Sequence, residues 1–228
     1  MKNDFLKNST IAHRGIYDNK KIIENTIEAF KKAISKGYTI ELDLRLTKDN
    51  KVVVFHDEDL SRLGNRKDKI NNLTLEELRK VKLLNKSNIP TFDEVLCLVD
   101  CKVPLLVELK PDKGFNLEKL VSRQLDNYKG KYAIQSFDPR TILWFRLFRK
   151  NVTRGLLISP KMYKPRLIKT CSPDFINVNK TLLDDKAIKN FKGTKLAYTI
   201  KKDEKDKYID KCDNMICDIW FTNHIFWL

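Results

Sequence analysis

The 228-residue sequence has no long apolar run, although 42% of its residues are hydrophobic. A transmembrane helix needs about 20 consecutive apolar residues, so the sequence predicts no integral membrane segment. Residues 1–9 carry charges and lack the apolar core of a signal peptide. We therefore expect a cytoplasmic protein.

Cysteine pairs with the spacing of a metal site are also missing. An odd number of cysteines without CxxC spacing or neighbouring histidines argues against a disulfide framework and against a zinc site. Reduced thiols in the cytoplasm are the simplest account. Internal repeats and low-complexity linkers are absent too, and α/β barrels have this length, so we expect one domain over residues 1–228. The five cysteines are Cys97, Cys101, Cys171, Cys212 and Cys217.

The charge is strongly positive, with 45 Lys and Arg residues against 30 Asp and Glu residues, a net charge of +15. Such a surplus can attract nucleic acid or anionic membranes. The lysine pairs at 20–21, 31–32 and 201–202 are isolated from one another, and dispersed charge is typical of a solvated surface. We expect no nucleic-acid partner; attraction of an anionic substrate is the alternative. The oligomeric state stays open.

Eight short apolar or β-branched runs alternate with helix-like segments. In the clearest helix, Thr26–Ser35, the apolar residues Ile27, Phe30 and Ile34 share one face. This alternation predicts an α/β fold with a parallel sheet, closed into a (β/α)8 TIM barrel. The predicted strands are Thr10–Ala12, Thr39–Leu44, Leu105–Leu109, Tyr132–Ser136, Gly155–Ile158, Phe175–Val178, Leu196–Ile200 and Ile219–Thr222.

Two features extend the barrel. The run Val52–His56 follows the second strand too closely for a crossover helix, so it returns antiparallel through a turn at residues 48–50 as a β-hairpin extension. Its register brings His56 beside Asp43. Residues 58–103 form a small helical insertion with two helices, Leu75–Val81 and Phe92–Val99.

Two helices have clear starts. Asn25 is the expected N-cap of the helix that ends at Gly37. Asp138 and Pro139 begin the segment Thr141–Phe148, whose apolar sequence predicts packing on the barrel. Contact with a membrane surface is the alternative for this segment.

Polar residues interrupt the strand ends, where barrel enzymes place their chemistry. Glu41 and Asp43 are two residues apart in a strand and share a face, as do Glu108 and Lys110. Three carboxylates at one mouth would repel one another without a cation, and Mg²⁺ or Ca²⁺ prefers such oxygen ligands. Singly, each could instead form a buried salt bridge with Arg45 or Lys110.

Two of the three histidines, His13 and His56, also fall at strand ends. An imidazole titrates near neutrality, so one ring can act as a base and the other as an acid. Arg14 and Lys110 add the positive charge that stabilises a phosphoryl transition state. We therefore expect phosphoryl chemistry, and we expect His224 to be structural.

Five motifs resemble, in order and spacing, the signature of the glycerophosphodiester phosphodiesterase family. Weaker matches at residues 89–92, 136–138 and 197–200 extend the resemblance over most of the chain. The sequence departs from the family where Ile23 replaces a proline and Tyr198 replaces a tryptophan, and neither change removes a catalytic group. The motifs are His13-Arg14-Gly15, Glu24-Asn25-Thr26, Glu41-Leu42-Asp43, His56-Asp57 and Glu108-Leu109-Lys110.

The resemblance implies a TIM barrel that uses one divalent cation, Mg²⁺ or Ca²⁺, to hydrolyse small glycerophosphodiesters to sn-glycerol 3-phosphate and an alcohol. It implies that His13 and His56 are the acid–base pair, and we expect His13 to be the base. Asp57 would have a supporting role. The remaining implied roles are metal ligation by Glu41, Asp43 and Glu108, phosphate contact by Arg14 and Lys110, and orientation of Arg14 or His13 by Glu24.

Two other functions compete with this one. A phospholipase D-like enzyme acting on lysophospholipids would need an apolar groove beside the mouth, for which Trp144-Phe145 and residues 225–227 are the sequence candidates. A catalytically inactive basic module that binds anionic polymer would not need both histidines and all three carboxylates.

Overall fold

The computed structural model describes residues 4–200 and 204–220. Apart from the loops, the chain alternates strands with helices, as the sequence predicts. The strands within these residues are β1 Ile11–Tyr17, β2 Thr39–Leu46, β3 Val52–Val54, β4 Leu105–Leu109, β5 Tyr132–Ser136, β6 Arg154–Ile158, β7 Phe175–Asn179, β8 Thr194–Ile200 and β9 Asn214–Trp220.

The helices pack outside the strands or at the ends of the barrel. Short 3-10 turns lie at Ile70–Asn72 and Lys180–Leu182. The α-helices are α1 Asp4–Asn8, α2 Ile27–Ser35, α3 Leu75–Arg79, α4 Phe92–Val99, α5 Asn116–Asp126, α6 Pro139–Phe148, α7 Pro165–Cys171, α8 Lys186–Lys189 and α9 Lys205–Tyr208.

Eight parallel strands close into a barrel. Their order around it is β1-β9-β8-β7-β6-β5-β4-β2, and pairing of β1 with β2 closes the ring. Strand β3 pairs antiparallel with the end of β2, with Leu44 opposite Val54. The structure therefore confirms the (β/α)8 TIM barrel and the β-hairpin extension.

The barrel interior has an apolar layer at the amino-terminal ends of the strands. Phe5 and Leu6 of α1, which the sequence analysis did not identify, pack into this layer. A Cβ atom at Gly155 would lie 2.1 Å from the Phe175 ring, so glycine leaves space for that ring. The interior is filled here, and the open mouth is at the opposite end. The strand residues of the layer are Ile11, Leu106, Ala133, Phe175, Leu196 and Ile216.

A second apolar layer lies between the strands and the helices. Leu42 and Leu109 alternate with the predicted site residues and point into this outer layer, as expected from strand geometry. The insertion at residues 58–103 has its own apolar cluster, which includes Phe55, Leu60 and Ile70. Helix α4 has its predicted bounds, whereas α3 ends two residues early, at Arg79.

The last strand begins earlier than predicted. The sequence placed it at Ile219–Thr222, but β9 starts at Asn214 and pairs with β8 from Leu196 onward. Asp218 interrupted the apolar pattern because it faces the mouth. The end of the predicted strand lies outside the described residues. Among the described residues, no helix has both the length and the apolar character needed to cross a bilayer.

Candidate active site

A sharp turn within β1 brings His13 and Arg14 into the mouth. Arg14 and Gly15 have positive φ angles of 56° and 84°, and the register of β1 against β9 shifts between Ala12 and Ile16. A Cβ atom at Gly15 would lie 2.9 Å from Ala29 of α2, so the turn requires glycine. The Arg14 backbone N–H donates to Glu41 at 3.1 Å, which joins the turn to β2.

The three predicted metal ligands meet in the mouth. Glu41, Asp43 and Glu108 are buried, and one carboxylate oxygen from each lies within 4.8 Å of the others. Burial, with the charge of Asp43, raises the pKa of Glu41 well above its usual value. Burial also raises the pKa of Glu108 to about 7. Burial thus disfavours the ionised forms of Glu41 and Glu108, and nearby positive charge would stabilise them.

Arg14 and Lys110 supply part of the missing charge. The Lys110 ammonium lies 2.7 Å from Asp43 and 2.5 Å from Glu108, and Arg14 Nε lies 3.3 Å from Asp43. These two cations hold the pKa of Asp43 well below its usual range, although burial acts in the opposite direction. Arg45, the other salt-bridge partner considered from the sequence, instead donates to the His56 carbonyl oxygen at 2.7 and 2.9 Å.

The Glu24-Asn25-Thr26 segment supports the mouth from behind. Glu24 accepts a hydrogen bond from Arg14 Nη1 at 2.6 Å, so it contacts Arg14 as expected. The prediction that Asn25 caps α2 is wrong, because Thr26 is the N-cap and accepts from the Ala29 N–H. Asn25 has a φ of 56°, which asparagine tolerates, and its Nδ2 donates to Asp43 at 2.8 Å.

His56 is held by its ring and by its backbone. Its Nδ1 lies 2.7 Å from Asp57, so the carboxylate accepts the Nδ1 proton and leaves the Nε2 lone pair available. Burial lowers the pKa of His56 despite the nearby carboxylates. Arg62 contacts Asp57 at 2.7 Å and also Glu24 at 2.7 Å.

His13 has a similar partner that the sequence analysis missed. Its Nδ1 lies 2.6 Å from Asp218 of β9, and the Tyr17 hydroxyl donates to the same carboxylate oxygen at 3.1 Å. Asp218 was overlooked because the predicted strand began one residue after it. An acidic residue inside an apolar run is the signal that could have identified it.

A chain of amides reaches Glu41 across the barrel. Gln135 donates to Glu41 at 3.3 Å, and Asn177 donates to the Gln135 side-chain oxygen at 2.9 Å. Both amides are buried. Neither was predicted, although each is a polar residue in the middle of an apolar strand, which is a detectable signal.

The mouth cavity has a volume of about 120 Å³. Phe137, Leu157 and Tyr198 form an apolar wall. The Tyr198 ring meets Phe137 edge-on at 5.9 Å, and its hydroxyl donates to the Ile158 carbonyl oxygen. Asp43 and Glu24 do not line the cavity, and His224 lies outside the described residues. The predicted site residues that line the cavity are His13, Arg14, Glu41, His56, Glu108 and Lys110.

Known proteins match this chain in sequence and in structure. The profile of the glycerophosphoryl diester phosphodiesterase family matches residues 13–225. A glycerophosphodiester phosphodiesterase of Caldanaerobacter subterraneus subsp. tengcongensis is 35% identical over 174 residues, 70% of each chain.

Two solved structures have a similar fold. A glycerophosphodiester phosphodiesterase from Thermotoga maritima superposes with a TM-score of 0.78 at 28% identity, over 92% of this chain and 94% of that one. A phosphodiesterase from Oleispira antarctica, solved with its product sn-glycerol-3-phosphate, has a TM-score of 0.81 at 22% identity, over 92% of this chain and 93% of its own. Because the family profile matches most of its length, the chain belongs to the glycerophosphodiester phosphodiesterase family.

Proposed function

We propose that the chain hydrolyses glycerophosphodiesters to sn-glycerol 3-phosphate and an alcohol in the cytoplasm. The observation that carries this proposal is the convergence of two histidines and a buried carboxylate cluster on one cavity. The name of the Caldanaerobacter relative and the product bound in the Oleispira structure support the same reaction.

The carboxylate cluster fits a hard divalent cation, Mg²⁺ or Ca²⁺. Glu41, Asp43 and Glu108 offer only oxygen ligands, which both ions prefer. The raised pKa values of Glu41 and Glu108 support this proposal, because burial disfavours their ionised forms in spite of the nearby Arg14 and Lys110. A cation bound there would offset negative charge on the phosphate oxygens.

His56 and His13 transfer the protons in this proposal. Because burial lowers its pKa, His56 is neutral at neutral pH, and its Nε2 accepts a proton from the attacking water. His13 donates a proton to the leaving alcohol oxygen. This order reverses the one expected from the sequence. Asp57 and Asp218 keep each Nδ1 proton in place, so each ring presents Nε2.

Arg14 and Lys110 bind the phosphate in this proposal. Both line the cavity beside the carboxylates, where a phosphate would meet their positive charge. Glu24 holds the Arg14 guanidinium from behind, at 2.6 Å, which fixes its direction before substrate arrives.

A screen of glycerophosphocholine, glycerophosphoethanolamine and glycerophosphoglycerol tests the proposed reaction. We expect release of sn-glycerol 3-phosphate that is lost on chelation with EDTA and restored by Mg²⁺ or Ca²⁺. Undiminished turnover after exhaustive chelation, with the metal content measured, would contradict the metal assignment. Tight binding of anionic polymer without turnover of any diester would identify an inactive binding module.

A second candidate function is hydrolysis of lysophospholipids. A groove of about 360 Å³ adjoins the mouth, shares Phe137 and Leu157 with it, and is lined farther out by Met162 and Leu167. The expected candidates do not form this groove, because Trp144 and Phe145 are buried in packing and residues 225–227 lie outside the described residues. An acyl chain could occupy it.

The ratio of two kcat/KM values separates the two candidates. We expect kcat/KM to be higher for glycerophosphocholine than for lysophosphatidylcholine. We also expect Met162→Ser to leave kcat/KM for glycerophosphocholine unchanged. A higher value for lysophosphatidylcholine, lowered selectively by Met162→Ser, would establish the lipid-directed function instead.

A further inference from the structure

Helix α6 exposes two large apolar side chains at its carboxyl-terminal end. Leu147 and Phe148 are 65% and 64% exposed, whereas Trp144 and Phe145 of the same helix are buried. The Phe148 ring rests against Trp144, with centroids 5.3 Å apart. Packing on the barrel therefore accounts for the inner face of α6 and leaves these two side chains unexplained.

Exposed cations surround this apolar pair. Lys119 and Arg123 of α5 border one depression beside Phe148, and Lys131 and Lys150 border a second depression on its other side. None of these four side chains forms an ion pair with another described residue. Leu147, Phe148 and these four cations are called the α6 patch. The nearby Asp126 is neutralised by Arg149 at 2.9 Å.

The α6 patch lies at the end of the barrel opposite the mouth. Helix α6 starts after the carboxyl end of β5 and ends before the amino end of β6. Lys131 directly precedes β5, and Lys150 lies in the loop that leads into β6. Because the catalytic residues occupy the carboxyl ends of the strands, a partner on the patch would leave the mouth open to water.

We propose that the α6 patch docks this chain on the surface of an anionic lipid bilayer. Leu147 and Phe148 enter the interface between headgroups and acyl chains, and the four unpaired cations approach the anionic headgroups. An anionic bilayer thus offers an apolar environment to the two apolar side chains and negative charge to the four cations. Water-soluble diesters still reach the mouth, and docking does not depend on the reaction catalysed there.

A second copy of the chain fits the patch less well. A two-fold contact would place four cations against the same four cations, which opposes association. Stable interfaces bury about 800 Å² on each partner, and two exposed apolar side chains provide only a small part of that area.

Co-sedimentation with vesicles tests the proposal. We expect the purified chain to bind phosphatidylcholine vesicles that contain phosphatidylglycerol at low salt, to release at high salt, and to bind pure phosphatidylcholine vesicles weakly. Leu147→Ser with Phe148→Ser should lower the partition coefficient roughly tenfold, because the inserted apolar area is lost. Arg123→Ser with Lys150→Ser should weaken binding and flatten its salt dependence.

Ile209→Ser is the matched control. Ile209 is 54% exposed and has acidic as well as basic neighbours, so its replacement should leave vesicle binding unchanged. Circular dichroism and turnover of glycerophosphocholine show whether each variant is folded. Absence of wild-type binding to the anionic vesicles, or equal binding by the Leu147 and Phe148 double variant, would overturn the proposal. A dimer that this double variant converts to monomer would overturn it in favour of self-association.

Discussion

Each of the two histidines in the mouth has a carboxylate beside its Nδ1 atom. His13 Nδ1 lies 2.6 Å from Asp218, and His56 Nδ1 lies 2.7 Å from Asp57. In the proposed mechanism each ring transfers a proton, and removing such a group typically lowers kcat by about 10²- to 10⁴-fold. We expect this loss for His13→Ala and for His56→Ala, with the circular dichroism spectrum unchanged. Near-normal kcat in a folded variant would exclude that histidine from the reaction.

Arg62 connects the partners of two residues of the candidate active site. It contacts Asp57, which holds His56, and Glu24, which holds Arg14. Arg62→Gln should lower kcat about tenfold, because both side chains lose their fixed directions. Arg66→Gln is the control, since Arg66 pairs with Asp68 at the surface. Equal kcat values for the two variants would show that the Arg62 contacts do not orient the site.

The sequence predicted the residues of the candidate site that stand at strand ends in recognisable motifs, and the structure brings them to one mouth. It missed Asp218, Gln135 and Asn177, whose importance depends on the closed barrel. Each of the three follows, by two positions in its strand, a residue of the apolar interior layer, and therefore points to the same side of the sheet, one layer nearer the mouth. The preceding residues are Ile216, Ala133 and Phe175. A polar residue inside an apolar strand is visible in the sequence, but the side chain that it meets across the barrel depends on the register between strands, which a single sequence does not provide.

The turn in β1 controls both the path of the strand and its contact with α2. Gly15→Ala combines an unfavourable positive φ with a Cβ atom 2.9 Å from Ala29. We expect it to destabilise the fold by about 2 to 5 kcal/mol and to displace Arg14. Gly37→Ala provides the control, because its φ is also positive but no atom lies within 4 Å of the added Cβ.

Urea denaturation measures both glycine variants. Gly37→Ala should cost about 1 to 2 kcal/mol through its backbone conformation alone. If Gly15→Ala cost no more than Gly37→Ala, close packing of the turn against α2 would not be the reason for glycine at this position.

Among the elements, long periodic segments were predicted well and their ends less well. The prediction of helix α2 and of its apolar face was correct, but Thr26 rather than Asn25 is its N-cap. Both residue types cap helices, and the structure distinguishes them by their hydrogen bonds: the Thr26 side chain accepts from the Ala29 N–H, whereas the Asn25 side chain donates to Asp43. The short helix α1 has too few residues for a helical period to be recognised.

Across the whole molecule, the barrel combines a buried apolar layer with a charged layer at the mouth. The apolar layer fills the lower interior, and the carboxylates lie directly above it. Low solvent access there makes ionised carboxylates costly without compensating charge. The carboxylate cluster should therefore reduce stability at neutral pH unless a cation is bound.

The stability of the chelated protein should consequently fall as pH rises from about 4.5 to about 7. Glu108 has a pKa of about 7 in the fold against an ordinary 4.5, and that of Glu41 is also raised. The folded state then binds more protons than the unfolded state in this window, so stability is lost with increasing pH. The lowered pKa of His56 makes stability rise with pH, but this contribution of one ring is opposed by the contributions of two carboxyl groups.

Thermal unfolding of the EDTA-treated protein measures this dependence. Tm should decrease with pH, and Glu108→Gln should reduce the slope because it removes one of the two titrating carboxyl groups. Added Mg²⁺ or Ca²⁺ should raise Tm more at the higher pH, since protons compete with the cation for the same oxygens. If Tm changed with pH by the same slope in the chelated wild type and in Glu108→Gln, Glu108 would not be the group whose burial sets the pH dependence.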